Sequence, residues 1–482
     1  MLLWSPSLPT NCAPRSRIFS LPVRWKSRTP TAGLPSAPLL WEIRGAESKP
    51  LLHLVEQSDA HVILAVERFG QSRPDRLELA RVENRRSARS ISREDFSDRL
   101  RRILGEQFPD EEVEKLSVAA DLEHTLSRVY VRGVSRSGNR RCAFLAVPEG
   151  ESPEAIDSSL TYALLWLDRA RQIRANRNLS TLRLIVPQGK SPALANRLGA
   201  VSRQLAVQIY ELNSLSESLE CVDPCANGNV STWLVPRRES QALLERSREQ
   251  LEAIVALAPE AITCHAVPAE QKVVLRFRGL AFACWEQGRV YSGVAARMEE
   301  LTPATQRRFQ QLISDLQRFR DLGAQDARHA LYRAQPERWM QSLIARDVTR
   351  IDLSPDPGHV YEQVFAQAAG QHGVLDLLTV TRTRRLAILE LKASENPDLP
   401  LQAGDYWHRV RRHQEEGHFA RYGYFAGLEV QSLAPLVYLV APALRFHATT
   451  DTLLKYMTPE MEVIRVGLTE NWRRGIRVVM RQ

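Results

Sequence analysis

Short apolar runs alternate with segments of helical period from about residue 42 to 235. HVILAVERF, RVYVRGV, CAFLAV, TLRLIV and LAVQIYEL are rich in β-branched and aromatic residues and read as strands, which predicts an α/β domain. The turn cluster DPCANGNVS around residue 227, with Pro236 after it, marks a boundary. Residues 237–260 then read as a helix, KVVLRFRG and its successors as strands, and 301–320 as a long helix. In that helix Phe309, Leu312, Ile313, Leu316 and Phe319 recur at spacings of three and four, one apolar stripe for packing. The expected organisation is a basic Pro-rich tail over 1–41, an N-terminal α/β domain over 42–235, a middle α+β region with a connecting helix over 236–335, and a further α/β domain over 336–482.

Composition narrows this picture. A chain of 482 residues, 44% hydrophobic and 25% charged, can bury two or three cores. No run approaches the roughly 18 to 20 apolar residues that cross a bilayer, so a membrane-spanning reading is excluded. Six scattered cysteines form no disulfide framework, which points to a reducing, cytoplasmic location. The net charge of +9 invites nucleic acid as a partner, but its distribution matters more than its size. Residues 1–41 hold five basic side chains, no acidic one and seven prolines, and read as a disordered tail. Those prolines interrupt the pattern of a transit peptide, and a start codon placed upstream of the true one accounts for such a tail equally well. Residues 336–482 hold 18 basic and 17 acidic side chains, so any case for nucleic acid has to come from individual residues.

The informative segment is GVLDLLTVTRTRRLAILELKASENPDLPLQAGDYW, starting at Gly373. Val374 to Val380 and Leu386 to Lys392 flank a short polar stretch, the signature of a hairpin. TRTRR offers neither Gly nor Asn, so a loop longer than a tight two-residue turn is expected. With the loop centred on Thr383, Asp376 and Glu390 oppose one another, and Asp376, Glu390 and Lys392 share one face. Opposed like charges are destabilising, so two carboxylates among leucines and valines need a reason. A divalent cation supplies one, because Mg²⁺ is held by one or two carboxylates completed by water and substrate phosphate. Lys392 would then orient a water or offset charge on a phosphate, which makes metal-assisted phosphodiester hydrolysis the fitting chemistry. An isolated D…ExK pattern is more simply a solvated acidic face. LAILELK, however, is too apolar for a solvated edge strand.

These residues resemble the PD-(D/E)XK nuclease superfamily, more narrowly its RecB-type and NucS-type branch. The matches are Asp376 in GVLDLL, Glu390 and Lys392 in ILELK, and Gln402 with Tyr406 in LQAGDYW, similar to that branch's QxxxY element. Gln402 and Tyr406 are four apart on an expected helix and lie on one face. Glu337 in PERWMQSLIARD is similar to the acidic residue of the family's first core helix, and Pro336 suits a helix start. Glu362 competes for that role, but HVYEQVF reads as strand. The signature proline before the aspartate is absent. Over residues 336–482 the resemblance implies a restriction-endonuclease-like core, a mixed sheet flanked by helices. It implies cleavage of DNA, less often RNA, with Mg²⁺ or Mn²⁺, as in DNA repair or defence. Glu337, Asp376 and Glu390 would be metal ligands, Lys392 would act on the nucleophile, and Gln402 and Tyr406 would complete the catalytic set. A homodimer is compatible with this. The rival reading is a non-catalytic DNA-binding or assembly protein that retains the fold; an RNA-processing enzyme is a third.

Arg409, Arg411 and Arg412 follow the QxxxY element and are candidates for phosphate contacts or for a solvated helix face. Trp407 and Tyr422 can stack on an unpaired base, though core packing suits them better. His408, His413 and His418 invite a metal, but the five-residue step does not keep a single helix face, so surface histidines are expected. Cys221 and Cys225 lack the second ligand pair of a zinc site.

The first half carries a similar order of elements. RVYVRGVSRSGNRRCAFLAVPEGESPEAIDSSLTYALLWL aligns without gaps so that Tyr162 meets Tyr406, and, once loop lengths are allowed to differ, LIVP at Leu184 answers LVAP at Leu439. Asp376 then meets Arg132, Glu390 meets Ala146, Lys392 meets Pro148 and Gln402 meets Ser158. This predicts a degenerate copy without a metal site, with Arg132 suited to holding DNA or a partner. A different strand order in the two halves would end that idea.

Overall fold

The computed structural model describes residues 93–119, 126–225, 233–294, 297–362, 364 and 375–482, together with the backbone of five strands between 12 and 81. The chain is mixed α/β and divides into two compact units, residues 1–90 with 281–314, and residues 91–280 with 315–482. The sequence boundaries near 235 and 335 therefore fall inside the second unit. Among the described residues no helix is long and apolar enough to cross a membrane.

In the first unit, Cys12–Pro14, Asp75–Arg81, His61–Val66, Lys49–Gln57 and Leu40–Trp41 form an antiparallel sheet in that order. HVILAVERF thus pairs with neighbours of its own unit, and does not join the α/β domain expected over 42–235. Most of the expected tail, 1–41, lies outside the described residues.

The second unit holds two mixed sheets. The first runs β1 (Glu112–Ser117), β2 (Val131–Ser137), β3 (Arg140–Ala146), β4 (Thr181–Pro187), β5 (Ala206–Asn213) and β6 (Ser218–Cys221), each beside its successor. A hairpin, β7 (Ile262–Val267) with β8 (Lys272–Phe277), follows. The last sheet runs β9 (Leu377–Val380), β10 (Leu386–Leu391), β11 (Leu436–Pro442), β12 (Val463–Leu468) and β13 (Val478–Arg481).

β2 to β6 and β9 to β13 follow the same order, and the first sheet has β1 as an additional edge strand. β2–β3 and β9–β10 are antiparallel hairpins, β3–β4–β5 and β10–β11–β12 are parallel, and β6 and β13 close their sheets antiparallel. Helices recur at matching places. α1 (Arg93–Gln107) precedes the first sheet, and α2 (Ser159–Arg171) and α3 (Pro192–Arg197) make its crossovers. After α4 (Arg237–Val255) and α5 (Gln306–Phe319), α6 (Pro336–Arg346) precedes the last sheet. There α7 (Leu399–Glu415) and α9 (Thr450–Leu454) make the crossovers, with α8 (His418–Arg421) between them.

Register departs from the gapless alignment by one residue, and the turns explain why. β2 and β3 are joined through two residues, with Gly138 at φ 58°, the left-handed position a II′ turn assigns to Gly. β9 and β10 are joined through Arg382–Arg384, with Arg384 at φ 67° closing a three-residue loop, as the absence of Gly and Asn predicts. Arg132 consequently opposes Leu145, not Ala146.

The two halves pack on each other through their crossover helices, α7 against α3 and α9 against α2. At the centre, Val201 bridges Met457, the Ser202 amide donates to the Tyr456 carbonyl at 2.8 Å, and the Thr458 amide donates to the Ala200 carbonyl at 2.8 Å. This reciprocal exchange is that of an antiparallel bridge, which ties the two halves backbone to backbone. Backbones approach closely here: a Cβ on Gly404 would stand 2.9 Å from that of Ala200, and one on Gly199 would strike the His408 ring. One apolar core therefore runs through both halves, which is why punctuation in the sequence does not separate them.

Candidate active site

β10 is a central strand buried on both faces, so its apolar residues alternate between two cores. Ala387, Leu389 and Leu391 pack with Trp339, Met340 and Ile344 of α6, whereas Leu386 and Ile388 face the core that α7 enters. Glu390 follows the second parity and points among apolar neighbours toward α7, 2% exposed. Leu377 pairs with Leu389, so the hairpin is centred on Thr383, and Asp376 continues that register opposite Glu390. Asp376 lies in the bend just before β9, and its Oδ2 accepts the Leu391 amide at 2.9 Å. That bond fixes the aspartate across the strand that bears Glu390. Lys392 continues β10, its amide bonded to the Val440 carbonyl, and its Nζ donates to Glu390 Oε1 at 3.0 Å.

Burial raises the proton affinity of both carboxyls. Desolvation is the leading cause for each, opposed by the Lys392 charge and reinforced by Glu337 and by the repulsion between the pair. The two are coupled, and as a pair they hold their protons well above the ordinary carboxylate range. Burial works against the Lys392 ammonium, but Glu390, Glu337 and Asp376 outweigh it and hold its pKa above the ordinary lysine value. Lys392 is therefore a cationic donor at neutral pH and not a base.

Other predicted residues surround this pair. Glu337 lies in the first turn of α6, with Pro336 opening the helix, and acts electrostatically on Asp376, Glu390 and Lys392. α7 brings Gln402 and Tyr406 to the same side. Burial first, then the Glu390 and Asp376 charges, push the Tyr406 hydroxyl well above its usual range. Glu390 Oε2 and Gln402 Oε1 are buried without a hydrogen-bond partner. Such orphaned acceptors are costly unless a cation or water meets them.

Several contributors escaped the sequence reading because they come from distant elements. Gln341 of α6 donates through Nε2 to the Asp376 carbonyl at 2.9 Å and to Glu362 Oε2 at 3.1 Å, while Arg338 donates to its Oε1 at 2.7 Å. Glu362 also meets His265 of β7 at 3.5 Å and Arg276 of β8 at 4.0 Å. Burial drives His265 down to about 3, leaving it neutral, and Arg276 down to about 10, leaving it charged. Glu362, its pKa raised by burial, is also pushed up by the Asp376 charge.

The candidate arginines are placed otherwise. Arg409, 8% exposed, gives two 2.9 Å hydrogen bonds to Asp405 inside the contact between halves, so it is not open to a phosphate. Arg411 pairs with Glu415 and Glu460, and Arg412 with Glu416. Trp407 is core, its Nε1 bonded to the Pro435 carbonyl. Among the described residues Glu337, Asp376 and Glu390 do not converge to within 4.8 Å as a trio, whereas His413, Glu416 and His418 do. In the first half Arg132 is 2% exposed and gives its guanidinium to the Ser127 and Tyr130 carbonyls, a structural role in place of the expected DNA contact.

No family model matches this chain, and no curated protein matches it.

The raised carboxyls make a prediction about stability. Groups whose pKa rises on folding favour the native state at low pH and cease to do so as pH passes through the folded value. The metal-free protein should therefore lose thermal stability progressively as pH rises from the ordinary carboxylate range, about 4, up through the raised values of the pair. Mn²⁺ should reverse the loss, because a cation takes the place of the proton. Melting curves across that range, with Glu390→Gln as the flattened control, check it.

Proposed function

We propose that the chain is a divalent-metal-dependent nuclease that hydrolyses DNA phosphodiester bonds, with a restriction-endonuclease-like core over residues 336–482. The observation that carries the reading is Glu390: a carboxylate 2% exposed, opposite Asp376, with one oxygen on Lys392 and the other without a partner. That donor set fits Mg²⁺ or Mn²⁺, with Asp376 and Glu390 as ligands and Glu337 assisting. A bound cation would supply Lewis-acid polarisation of a phosphoryl oxygen.

The chain's own groups do the rest. Lys392, held charged, donates toward the attacking water or the phosphoryl oxygen as charge develops there. Gln341 fixes the Asp376 backbone, and the Leu391 amide fixes its carboxylate, so the ligand geometry precedes substrate binding. Arg276 and Arg338 offset the charge of the acidic cluster.

The first half has the same strand order and keeps no carboxylate at the matching strand positions, Arg132 or Val131 and Ala146. Among the described residues one such site is present, and a chain acting alone should convert supercoiled plasmid with Mg²⁺ or Mn²⁺ to the nicked circle, not the linear form. Calorimetric titration with Mn²⁺ accompanies this assay. Absence of both Mn²⁺ binding and nicking would leave the non-catalytic DNA-binding scaffold as the better reading.

A further inference from the structure

α7 ends at Glu415, and Gly417 at φ 68° turns the chain back on itself, so His418 returns against His413 although they are five residues apart. The two Nδ1 atoms face each other at 2.8 Å, and Glu416 Oε2 lies 3.2 Å from His418 Nδ1. The ligand atoms of all three lie within 4.8 Å of one another. His413 is 3% exposed, whereas His418 and Glu416 are reached by solvent, which leaves an entry route on one side. Arg412 donates to the other Glu416 oxygen at 3.1 Å and orients it, as groups behind metal ligands commonly do.

We infer that His413, Glu416 and His418 form a binding site for a borderline transition-metal ion, Zn²⁺ or its mimic Co²⁺, separate from the carboxylate site. Two imidazoles and one carboxylate are a ligand set of catalytic and regulatory zinc sites, with a fourth position left to water. Imidazole selects Zn²⁺, Co²⁺ or Ni²⁺ over Mg²⁺, which prefers oxygen ligands. Two nitrogens on a tetrahedral ion stand about 3.3 Å apart, so a slight opening of the pair admits it. Burial, with the neighbouring His418, holds His413 down at about 4, so the ring offers a neutral lone pair at physiological pH. The ion would tie α8 to the end of α7, the helix that carries Gln402 and Tyr406.

The test uses the full chain, stripped with chelator and reloaded with Zn²⁺ or Co²⁺. The expected results are one ion per chain by elemental analysis in a Glu390→Gln background, a Co²⁺ visible band, and a melting temperature raised by Zn²⁺ but not by Mg²⁺. His418→Ala and Glu416→Gln, both at solvent-reached positions, should remove the band or weaken binding at least tenfold while circular dichroism stays unchanged. Zn²⁺ bound equally by the His418→Ala protein, or no Zn²⁺ bound by the Glu390→Gln protein, would overturn the inference. Neither outcome bears on the nuclease reading, which Asp376→Ala tests by itself.

Discussion

Lys392→Ala should reduce Mg²⁺-dependent DNA cleavage by about 10²- to 10³-fold, the usual loss when one donor to a developing negative charge is removed. Asp376→Ala should remove cleavage altogether. The two losses have different causes. Lys392 is the one cation hydrogen-bonded to Glu390 among the described residues, and its removal leaves that carboxyl with a still stronger tendency to hold a proton. Raising pH should therefore recover part of the Lys392→Ala deficit, since deprotonation restores a ligand, but should recover nothing in Asp376→Ala. Asp376 is also bonded to the Leu391 amide, so a second variant, Asp376→Asn, preserves shape while weakening the charge. Cleavage by Asp376→Ala at the wild-type rate sinks the assignment.

Asp405→Ala should destabilise the protein by about 3–5 kcal/mol, the cost of removing one partner from a buried ion pair. Asp405 and Arg409 are 6% and 8% exposed and joined by two hydrogen bonds, and Asn196 of α3 donates to the same carboxylate from the other half. The truncation takes from the buried Arg409 guanidinium the carboxylate that it bonds twice, and from Asn196 an acceptor. Replacing both charges, Asp405→Leu with Arg409→Met, should restore most of the stability, because apolar pairs of similar volume are often as good. Chemical denaturation measures both. A loss under about 1 kcal/mol for Asp405→Ala would show that the contact between halves does not depend on this pair.

How far sequence reached can be judged from these residues. The Thr383 register was legible because the apolar runs are symmetric about TRTRR, and strand parity then places Asp376, Glu390 and Lys392 on one face. The Arg409 ion pair was also within reach, as Asp405 stands four residues earlier on the same helix. A uniform helical period separates His413 from His418, and the left-handed Gly417 that breaks the period is what brings them together. Gln341, Glu362, His265 and Arg276 come together from three elements, and no local pattern joins them. The repeat was visible as an order of elements, but its register slipped where a two-residue turn faces a three-residue loop.

The reciprocal hydrogen bonds of Ala200 and Ser202 with Tyr456 and Thr458 have a consequence for dosage. Two separate subunits joined in this way would part on dilution, with activity following concentration. Here one polypeptide carries both, so the association is intramolecular and its effective concentration is fixed. The half that bears Asp376 and Glu390 is thus always beside the half that packs against it. The contact between the halves therefore does not weaken on dilution.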